Sequence, residues 1–394
     1  MSNLTRVSPL QRSLLKAPLR IVSIGGGTGL STLLAGLKKH AYGSQRGATE
    51  SSLPLVDITA VVTVTDDGGS SGRLRRDFDI LPPGDIRNCM TALSEDEALL
   101  AKLFKHRFAK GRGLKGHSFG NLFLAAMHQI TGDFAHAVKL SSEILAIRGR
   151  IFPATSANVV LEAILAGGEV VRGESKISKS RREIQELRVI PAVCDPLPET
   201  IEAIKKADLI TFGPGSLYTS VIPNLLVKGI PEAIEQSPAL KICLMNLMWQ
   251  PGETINFSAS RHVKEIHKHA GRELTDGVVL NTAAITLELR RRYAKAKVRP
   301  VENDFEALAE MGVKVVTADL VAGGERKVRH DPAALARVVV ELASRSRARQ
   351  VRRETLARQA RTSTKTSHGK QRNSSHSGRR AGNTDEVAEG EGTA

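Results

Sequence analysis

Two strand-like runs in this chain each end in a glycine-rich loop that leads into a helical pattern. The β-branched run Arg20–Ile24 stops at Gly25, and helical spacing follows over Leu30–Lys39. The mainly apolar run Asp208–Phe212 stops at Gly213, and a helical pattern follows again. Strands that alternate with helices in this way pack as a parallel sheet, because each crossover helix returns the chain to the edge where the next strand begins. The pattern predicts an α/β fold built on a doubly wound, mainly parallel sheet.

The same alternation continues along the rest of the chain. Four more runs have the composition of buried strands: Asp57–Thr65, Leu240–Met245, Val278–Leu280 and Val313–Ala318. Seven more segments have helical patterns: Asp85–Leu93, Asp96–Phe108, Asn121–Ile130, Phe134–Leu145, Tyr218–Gln236, Arg261–Ala270 and Pro332–Ala343. Between Val159 and Ser178 the residues alternate around Gly167–Gly168, which predicts a small β-hairpin insertion.

The net charge of +16 is concentrated near the C-terminus. Residues 344–380 carry 12 Lys and Arg against one acidic residue, whereas residues 381–394 carry four acidic residues and no basic one. This segment has too few apolar residues to offset the entropy of ordering it. We therefore expect one domain over residues 20–343, a flexible N-terminus over residues 1–19, and a disordered tail over residues 344–394 that is basic and then acidic. Nucleic acid is expected to bind through loose contacts of the tail at most.

Composition also narrows the location of the protein. No run approaches the roughly 18 apolar residues of a membrane-spanning helix, and the first twenty residues lack the apolar stretch of a signal peptide. The three cysteines, Cys89, Cys194 and Cys243, are widely spaced and form no CxxC pair, which gives no reason to expect a disulfide framework or a zinc site. These features predict a cytoplasmic protein with no membrane span.

The first glycine-rich loop consists of Gly25, Gly26, Gly27, Thr28 and Gly29. At a junction between strand and helix, unpaired backbone N–H groups and the positive end of the helix dipole face outward. Glycines let a phosphate approach these groups closely, and a threonine hydroxyl adds a donor. The spacing is neither GxGxxG nor that of a Walker A loop. The loop therefore predicts a phosphate-binding site, with a plain tight turn as the alternative.

The second glycine-rich loop repeats this arrangement with Gly213, Gly215 and Ser216. Pro214 stiffens the loop, and a serine hydroxyl can donate to a phosphate or cap the following helix. Because the carboxyl ends of parallel strands share one edge of the sheet, two such loops predict a cradle for a diphosphate.

Asp66 and Asp67 follow the strand Asp57–Thr65, and we expect them at the same edge of the sheet. Two adjacent carboxylates there could bind a ribose, a Mg²⁺ ion or a hydroxyl group, although an aspartate that caps a glycine turn explains them as well. Arg87 and Asn88 lie in the first turn of the next helix, where they could face a ligand, and Asp85 is placed to cap that helix.

Four further polar residues are ligand-binding candidates because of their places at strand ends or helix starts: Ser118, Asn121, Asn246 and Arg329. Ser118 could instead cap a helix, and an exposed arginine is the ordinary alternative for Arg329.

Seven motifs occur together and in order. They are IGGGTG (24–29), DDGGSSG (66–72), PPGDIRN (82–88), GHSFGN (116–121), GPGSLYTSVIPNLL (213–226), NLMWQPGET (246–254) and RHDP (329–332). Together they resemble the YvcK branch of the CofD-like superfamily, over about residues 20–343. The resemblance implies a Rossmann-like three-layer fold and a gluconeogenesis factor, a class of proteins that bind UDP-sugars such as UDP-N-acetylglucosamine and support cell shape.

The transferases of the same superfamily move 2-phospho-L-lactate from a guanosine diphospho donor to a deazaflavin and use Mg²⁺. Their acceptor-binding aspartate corresponds to Asp67, which would then be the catalytic and metal-binding residue here. They have a larger apolar pair where this chain has Gly68 and Gly69, and the change removes bulk that could stack on a flavin-like ring.

The resemblance therefore favours a UDP-sugar-binding regulator without catalytic activity. A Mg²⁺-dependent transferase is the alternative, and NAD(P) is a less favoured ligand that the fold could accept. A regulatory protein partner and a homo-oligomer are also expected.

Overall fold

The computed structural model describes residues 17–41, 55–94, 99–324 and 326–374. Most of the predicted flexible N-terminus and the acidic end of the predicted tail lie outside the described residues. One compact unit extends to Arg347, and a second unit begins at Ala348.

The strands of the described residues are β1 (Leu19–Gly25), β2 (Val56–Val62), β3 (Arg150–Pro153), β4 (Val160–Leu165), β5 (Val170–Arg172), β6 (Ile184–Ile190), β7 (Leu209–Phe212), β8 (Leu240–Leu244), β9 (Gly277–Asn281) and β10 (Lys314–Ala318). Seven of them form the main sheet, which is parallel throughout and has the order β10-β9-β8-β7-β1-β2-β3. This order confirms the predicted doubly wound, Rossmann-like architecture.

The helices follow the strands along the chain. They are α1 (Gly27–Leu37), α2 (Gly69–Phe78), α3 (Gly84–Leu93), α4 (Leu99–Lys105), α5 (Phe119–Thr131), α6 (Phe134–Ile144), α7 (Glu174–Ile177), α8 (Pro198–Lys206), α9 (Ile222–Leu225), α10 (Ile230–Gln236), α11 (Ala259–Ala270), α12 (Leu287–Lys295), α13 (Phe305–Glu310) and α14 (Pro332–Ser374). A 3-10 turn (Lys38–His40) follows α1, and a π-helical turn (Leu217–Val221) precedes α9. Within the described residues, no helix combines the length and apolar character needed to cross a membrane.

The hydrophobic core lies on both faces of the central strands. Ile21 and Ile24 of β1 and Ile58 of β2 are almost fully buried, as expected for parallel strands covered by helices on both sides. In α1, Leu30, Leu33, Leu34 and Leu37 are buried, and their spacing places them on one face of the helix. Apolar stripes of this kind fix the helices onto the sheet.

The chain reverses direction across the sheet between β1 and β7. From β1 it proceeds to β2 and β3 on one side, and later strands extend from β7 on the other. At such a switch point of an open α/β sheet, a crevice forms outside the carboxyl ends of the two central strands. The loops that follow these two strands are the glycine-rich loops after Gly25 and Phe212.

The predicted hairpin is confirmed and is part of a larger insertion. β4 pairs antiparallel with β5 around the Gly167–Gly168 turn, and β6 pairs antiparallel with the other side of β4. The short helix α7 connects β5 to β6. We call residues 160–190 the inserted subdomain.

Two predictions about helices are wrong. The last helix does not end at Ala343 but continues to Ser374, so the predicted tail begins as helix. The sequence predicts Arg347 as a solvated charge of the tail, but its side chain is buried and ion-paired with Asp208. This ion pair anchors the helix beyond Ala343, where it was predicted to end. The helix expected over Tyr218–Gln236 is three short elements, since Pro223 and Pro231 each start a new helix.

Candidate functional site

The two glycine-rich loops are in direct contact at the switch point. A Cβ atom added to Gly29 would lie 2.3 Å from the carbonyl oxygen of Pro214, so only glycine fits there. Asn246 fixes the second loop from the end of β8. Its Nδ2 donates to the carbonyl oxygen of Gly215 at 2.9 Å, and its Oδ1 accepts from the Gly215 N–H at 3.3 Å.

A cleft of about 370 Å³ opens where the loops meet. Eight of the predicted ligand-binding residues line it: Gly26, Gly27, Thr28, Gly29, Gly215, Ser216, Asn246 and Arg329. A volume of this size is within the usual range for small-molecule sites. The cleft is therefore the candidate functional site.

Two helical N-termini begin at this cleft, and in neither does the preceding residue supply a side-chain cap. Helix α1 begins at Gly27 after Gly26, and the π-helical turn begins at Leu217 after Ser216. Helical N-termini present backbone N–H donors and a positive dipole end, which together favour an anion. One donor of each is engaged by a carboxyl group from elsewhere in the chain: the Gly27 N–H by Asp85 and the Tyr218 N–H by Glu253. The arrangement can bind a phosphate or a diphosphate.

Asp85 lies in the cleft and is not the predicted N-cap. Helix α3 begins at Gly84, so Asp85 is already inside its first turn. Its carboxyl group accepts a hydrogen bond from the Gly27 N–H, and an added Cβ on Gly26 would lie 2.5 Å from its Oδ2. Burial, and then the nearby Asp66 carboxylate, raises the pKa of Asp85 to about 7.

Sequence reasoning missed two other carboxyl groups at this edge. Glu174 of the inserted subdomain lines the cleft, and burial together with the neighbouring carboxylates raises its pKa to about 9. Glu253 is buried behind the second loop, where it accepts from the Tyr218 N–H at 3.2 Å and the Thr219 hydroxyl at 3.1 Å. Burial raises the pKa of Glu253 to about 7. Glu253 belongs to the NLMWQPGET motif, which could have identified it; no local signal marks Glu174.

Asp66 and Asp67 lie behind the cleft and do not line it. Asp66 Oδ1 accepts a hydrogen bond from the Gly68 N–H at 2.8 Å. This contact matches the alternative interpretation of the sequence, in which an aspartate caps a glycine turn. Asp67 Oδ1 accepts from the Ser175 N–H at 2.9 Å and so fastens the inserted subdomain to the sheet. Within the described part of the chain, no group of three or more His, Cys, Asp or Glu side chains is arranged to hold a metal ion. Asp67 as a Mg²⁺ ligand stays a prediction.

Other predicted residues lie outside the cleft. Arg87 and Asn88 line a neighbouring depression, where the Arg87 guanidinium donates to Asn88 Oδ1 at 2.5 Å. Gly25 and Gly213 lie at the strand ends, where the Gly213 N–H donates to the carbonyl oxygen of Ile24 at 2.9 Å. The structure therefore places these four residues next to the cleft and not on its lining.

Ser118 and Asn121 belong to a buried polar cluster next to α2. Ser118 Oγ accepts from the Asn121 N–H at 3.2 Å, so the capping alternative describes Ser118. The Asn121 amide donates to Ser70 Oγ at 3.2 Å, and the same hydroxyl lies 3.0 Å from His117 Nδ1. The structure therefore does not bring these residues to the cleft, because their side chains hold two helix starts together.

Comparisons with known proteins agree in family and fold. The family described as 2-phospho-L-lactate transferase CofD matches residues 21–321. A gluconeogenesis factor of Bacillus subtilis is 48% identical over 323 residues, which cover 82% of this chain and 98% of the relative. A gluconeogenesis factor of Halalkalibacterium halodurans is 46% identical and covers 82% of this chain and 95% of the relative.

Solved structures show the same fold. A crystal structure of a Bacillus halodurans protein superposes with a TM-score of 0.77 at 45% identity and covers 82% of this chain and all of that one. A second structure from the same organism, described as a member of the UPF0052 family, superposes with a TM-score of 0.76 at 44% identity and with the same coverage.

Proposed function

The chain belongs to the CofD family, and from this premise we propose that it is a gluconeogenesis factor that binds a nucleotide sugar and acts as a regulator. The relatives named gluconeogenesis factors support the first part. The second part is supported by the cleft between the glycine-rich loops. The proposed ligand is a UDP-sugar such as UDP-N-acetylglucosamine, and the proposed place of action is the cytoplasm.

One observation carries the binding proposal. Two helical N-termini that the preceding residue does not cap start at the same cleft, each at a glycine-rich loop, and carboxyl groups engage one N–H donor of each. A single N-terminus accommodates one phosphate, whereas two adjacent ones suit the two linked phosphates of a nucleotide diphosphate. Arg329 lies on the same lining and adds a positive charge for the ligand.

The contacts of Asp67 favour a regulator over a transferase. In the transferase alternative this carboxylate would orient an acceptor hydroxyl or a Mg²⁺ ion. Here one of its oxygens accepts a backbone hydrogen bond from Ser175 of the inserted subdomain. The adjoining Gly68 and Gly69 offer no side chain on which a flavin-like ring could stack. We therefore propose that the chain binds its ligand without transferring a group.

The proposed biological role is to couple carbon supply to envelope synthesis and cell shape under gluconeogenic growth. A non-catalytic sensor of this kind requires a protein partner that responds to its ligand-bound form. NAD(P) is the weaker ligand candidate, since neither loop has the GxGxxG spacing of dinucleotide-binding sites.

Isothermal calorimetry tests the proposal. The full chain is titrated with UDP-N-acetylglucosamine, GDP and NAD, with and without Mg²⁺, and the recovered ligand is assayed for turnover. We expect selective binding of the UDP-sugar without turnover. Preference for GDP with a strict Mg²⁺ requirement would favour the transferase, and binding of NAD alone would refute the nucleotide-sugar proposal.

A matched pair of variants locates the binding site. Arg329→Ala should weaken UDP-sugar binding by about tenfold, since a charge-assisted hydrogen bond to phosphate contributes roughly 1.5–3 kcal/mol at best. Arg326→Ala removes an exposed arginine of the same segment that does not line the cleft, and its affinity should equal that of the wild type.

A further inference from the structure

The inserted subdomain contributes Glu174 to the cleft at a fixed position. Glu174 is the first residue of α7, and the Ser175 N–H that follows it donates to Asp67. Gly173, which precedes it, has a φ of +98°, and an added Cβ there would lie 2.3 Å from Asp67 Oδ2. The Glu174 backbone is thus held between two contacts with Asp67.

The Glu174 carboxyl group differs from the other acidic groups of the inserted subdomain. Within residues 160–190, all of which the structure describes, the other four acidic residues are ion-paired with arginines: Glu162 with Arg172, Glu169 with Arg182, Glu183 with Arg261 and Glu186 with Arg188. The carboxyl group of Glu174 makes no hydrogen bond or ion pair with any described residue. Its charged neighbours are other carboxylates, first of all Asp66 and Asp85. The group is therefore available to a ligand.

The order of the strands gives the cleft two unlike ends. The glycine-rich loops of β1 and β7 occupy its middle, where the diphosphate is proposed to bind. Beyond β7, the segment after β8 contributes Met248 and Trp249 to the lining. On the β2 side the lining is formed by Asp85 and Glu174. A ligand centred on the diphosphate would reach the aromatic side chain of Trp249 and the polar Gln250 at one end, and carboxyl groups at the other.

The chemistry of the two ends distinguishes the two substituents of the diphosphate. A planar base is suited to the surface with Trp249, whereas a pyranose presents several hydroxyl groups that carboxyl groups bind as acceptors or donors.

We propose that Glu174 binds a hydroxyl group of the sugar, so that the inserted subdomain makes the site selective for nucleotide sugars over free nucleotide diphosphates. This inference rests on the proposed function and identifies the residue that recognises the sugar. Glu174 is a specificity-determining residue in this assignment, and the glycine-rich loops supply the common affinity for the diphosphate.

Calorimetry with UDP and UDP-N-acetylglucosamine tests the assignment on the full chain and on Glu174→Ala, Glu174→Gln and Glu169→Ala. Glu174→Ala should bind UDP-N-acetylglucosamine about tenfold more weakly, which corresponds to about 1.4 kcal/mol, and UDP as tightly as the wild type. Glu174→Gln should retain most of the affinity, since an amide also bonds to hydroxyl groups. Glu169→Ala, which removes an ion-paired carboxylate of the same subdomain, should change neither affinity.

The outcomes separate this inference from the proposed function. If Glu174→Ala weakens UDP and UDP-N-acetylglucosamine equally, or neither, the inference is overturned and the proposed function stands. If the wild type binds neither compound, both are overturned. Thermal unfolding of each variant checks that the fold is intact, and Glu174→Gln supplies the same comparison with the volume of the side chain preserved.

Discussion

Buried carboxylates occur at both edges of the main sheet, and their surroundings are opposite. At the amino edge, Asp208 is fully buried, accepts hydrogen bonds from the Arg347 guanidinium through both oxygens, and accepts one more from the Arg20 N–H at 2.7 Å. At the carboxyl edge, no described residue forms an ion pair with Glu174 or Asp85, although the nearby Arg87 guanidinium acts to lower the pKa of Asp85. The first edge neutralises its charge within the protein, whereas at the second the carboxyl group of Glu174 has no hydrogen-bond partner among the described residues.

This difference separates a structural role from a binding role for the same kind of residue. A buried carboxylate with satisfied hydrogen bonds fixes the packing of the chain, and the loss of its partner is costly. Carboxyl groups that are desolvated and close to each other have raised pKa values, and such groups cluster at functional sites. The balance of partners around an acid thus distinguishes the two roles better than its burial does.

The largest effect is predicted for a variant that breaks the Asp208–Arg347 ion pair at the amino edge. Arg347→Met removes the guanidinium that bonds both oxygens of Asp208 and leaves only the more exposed Arg20 guanidinium, 3.6 Å away, so it should lower the free energy of unfolding by up to about 3–5 kcal/mol. Urea denaturation followed by circular dichroism measures the loss. Arg345→Met removes an exposed arginine of the same helix and should cost less than about 0.5 kcal/mol. Equal costs for the two variants would show that the Asp208 pair contributes no more than a surface arginine.

A smaller effect is predicted for a variant at the carboxyl edge that changes the packing of the glycine-rich loops and leaves the carboxyl groups unchanged. Gly29→Ala places a methyl group against the Pro214 carbonyl oxygen and forces the two glycine-rich loops apart, at a cost of about 1–3 kcal/mol. Because the loops form the cleft, nucleotide binding should weaken by more than tenfold in calorimetry. Gly323→Ala has no neighbouring atom within 4 Å of the added carbon and serves as the control. Unchanged affinity in Gly29→Ala would contradict the placement of the diphosphate.

The smallest effect has the opposite sign to the first. The pKa of Glu174 is raised from 4.5 to about 9, so the native state binds more protons than the unfolded state between these values. The free energy of unfolding therefore falls as the pH rises through this window. Glu174→Gln removes this titration and should be more stable than the wild type at pH 8, by at least about 1 kcal/mol, the equivalent of one pKa unit.

The pH profile of stability checks the last prediction. Urea denaturation at pH 4 and pH 8 should show a gain for Glu174→Gln at pH 8 that disappears at pH 4. Glu169→Gln, with its carboxylate ion-paired at the surface, should show no gain at pH 8. A loss of stability in Glu174→Gln at pH 8 would mean that the carboxylate is stabilised by a partner.

The sequence was sufficient to predict the sheet and the meeting of the two glycine-rich loops at one of its edges. Glycine-rich loops that follow strands are a local signal, and the parallel sheet then brings Gly29 and Gly215 together. The hairpin around Gly167 was equally local. These features could be predicted because each depends on residues close together in the chain, and the topology is limited by few rules.

The missed residues depend on contacts between distant segments. Glu174 reaches the cleft because Asp67, over a hundred residues earlier, accepts the N–H of its neighbour. Arg347 pairs with a carboxylate 139 residues away, and without that partner the local sequence predicts a solvated charge of the tail. Asp85 had the position of a helix cap, but its carboxyl group is engaged by the Gly27 N–H of another loop. No local pattern contains such partners.

The adjacency of β1 and β7 has a consequence for the order of folding. Ile21 of β1 pairs with Leu209 of β7, so the second half of the cleft joins the first only after about half of the chain has been added. Closing so long a loop is slow, because its entropic cost comes before any contact repays it. During synthesis, the loop Gly25–Gly29 emerges early but lacks its partner until β7 has left the ribosome. The proposed ligand binding therefore requires at least the first half of the chain, and a nascent fragment that ends before β7 is expected to have no affinity for the nucleotide.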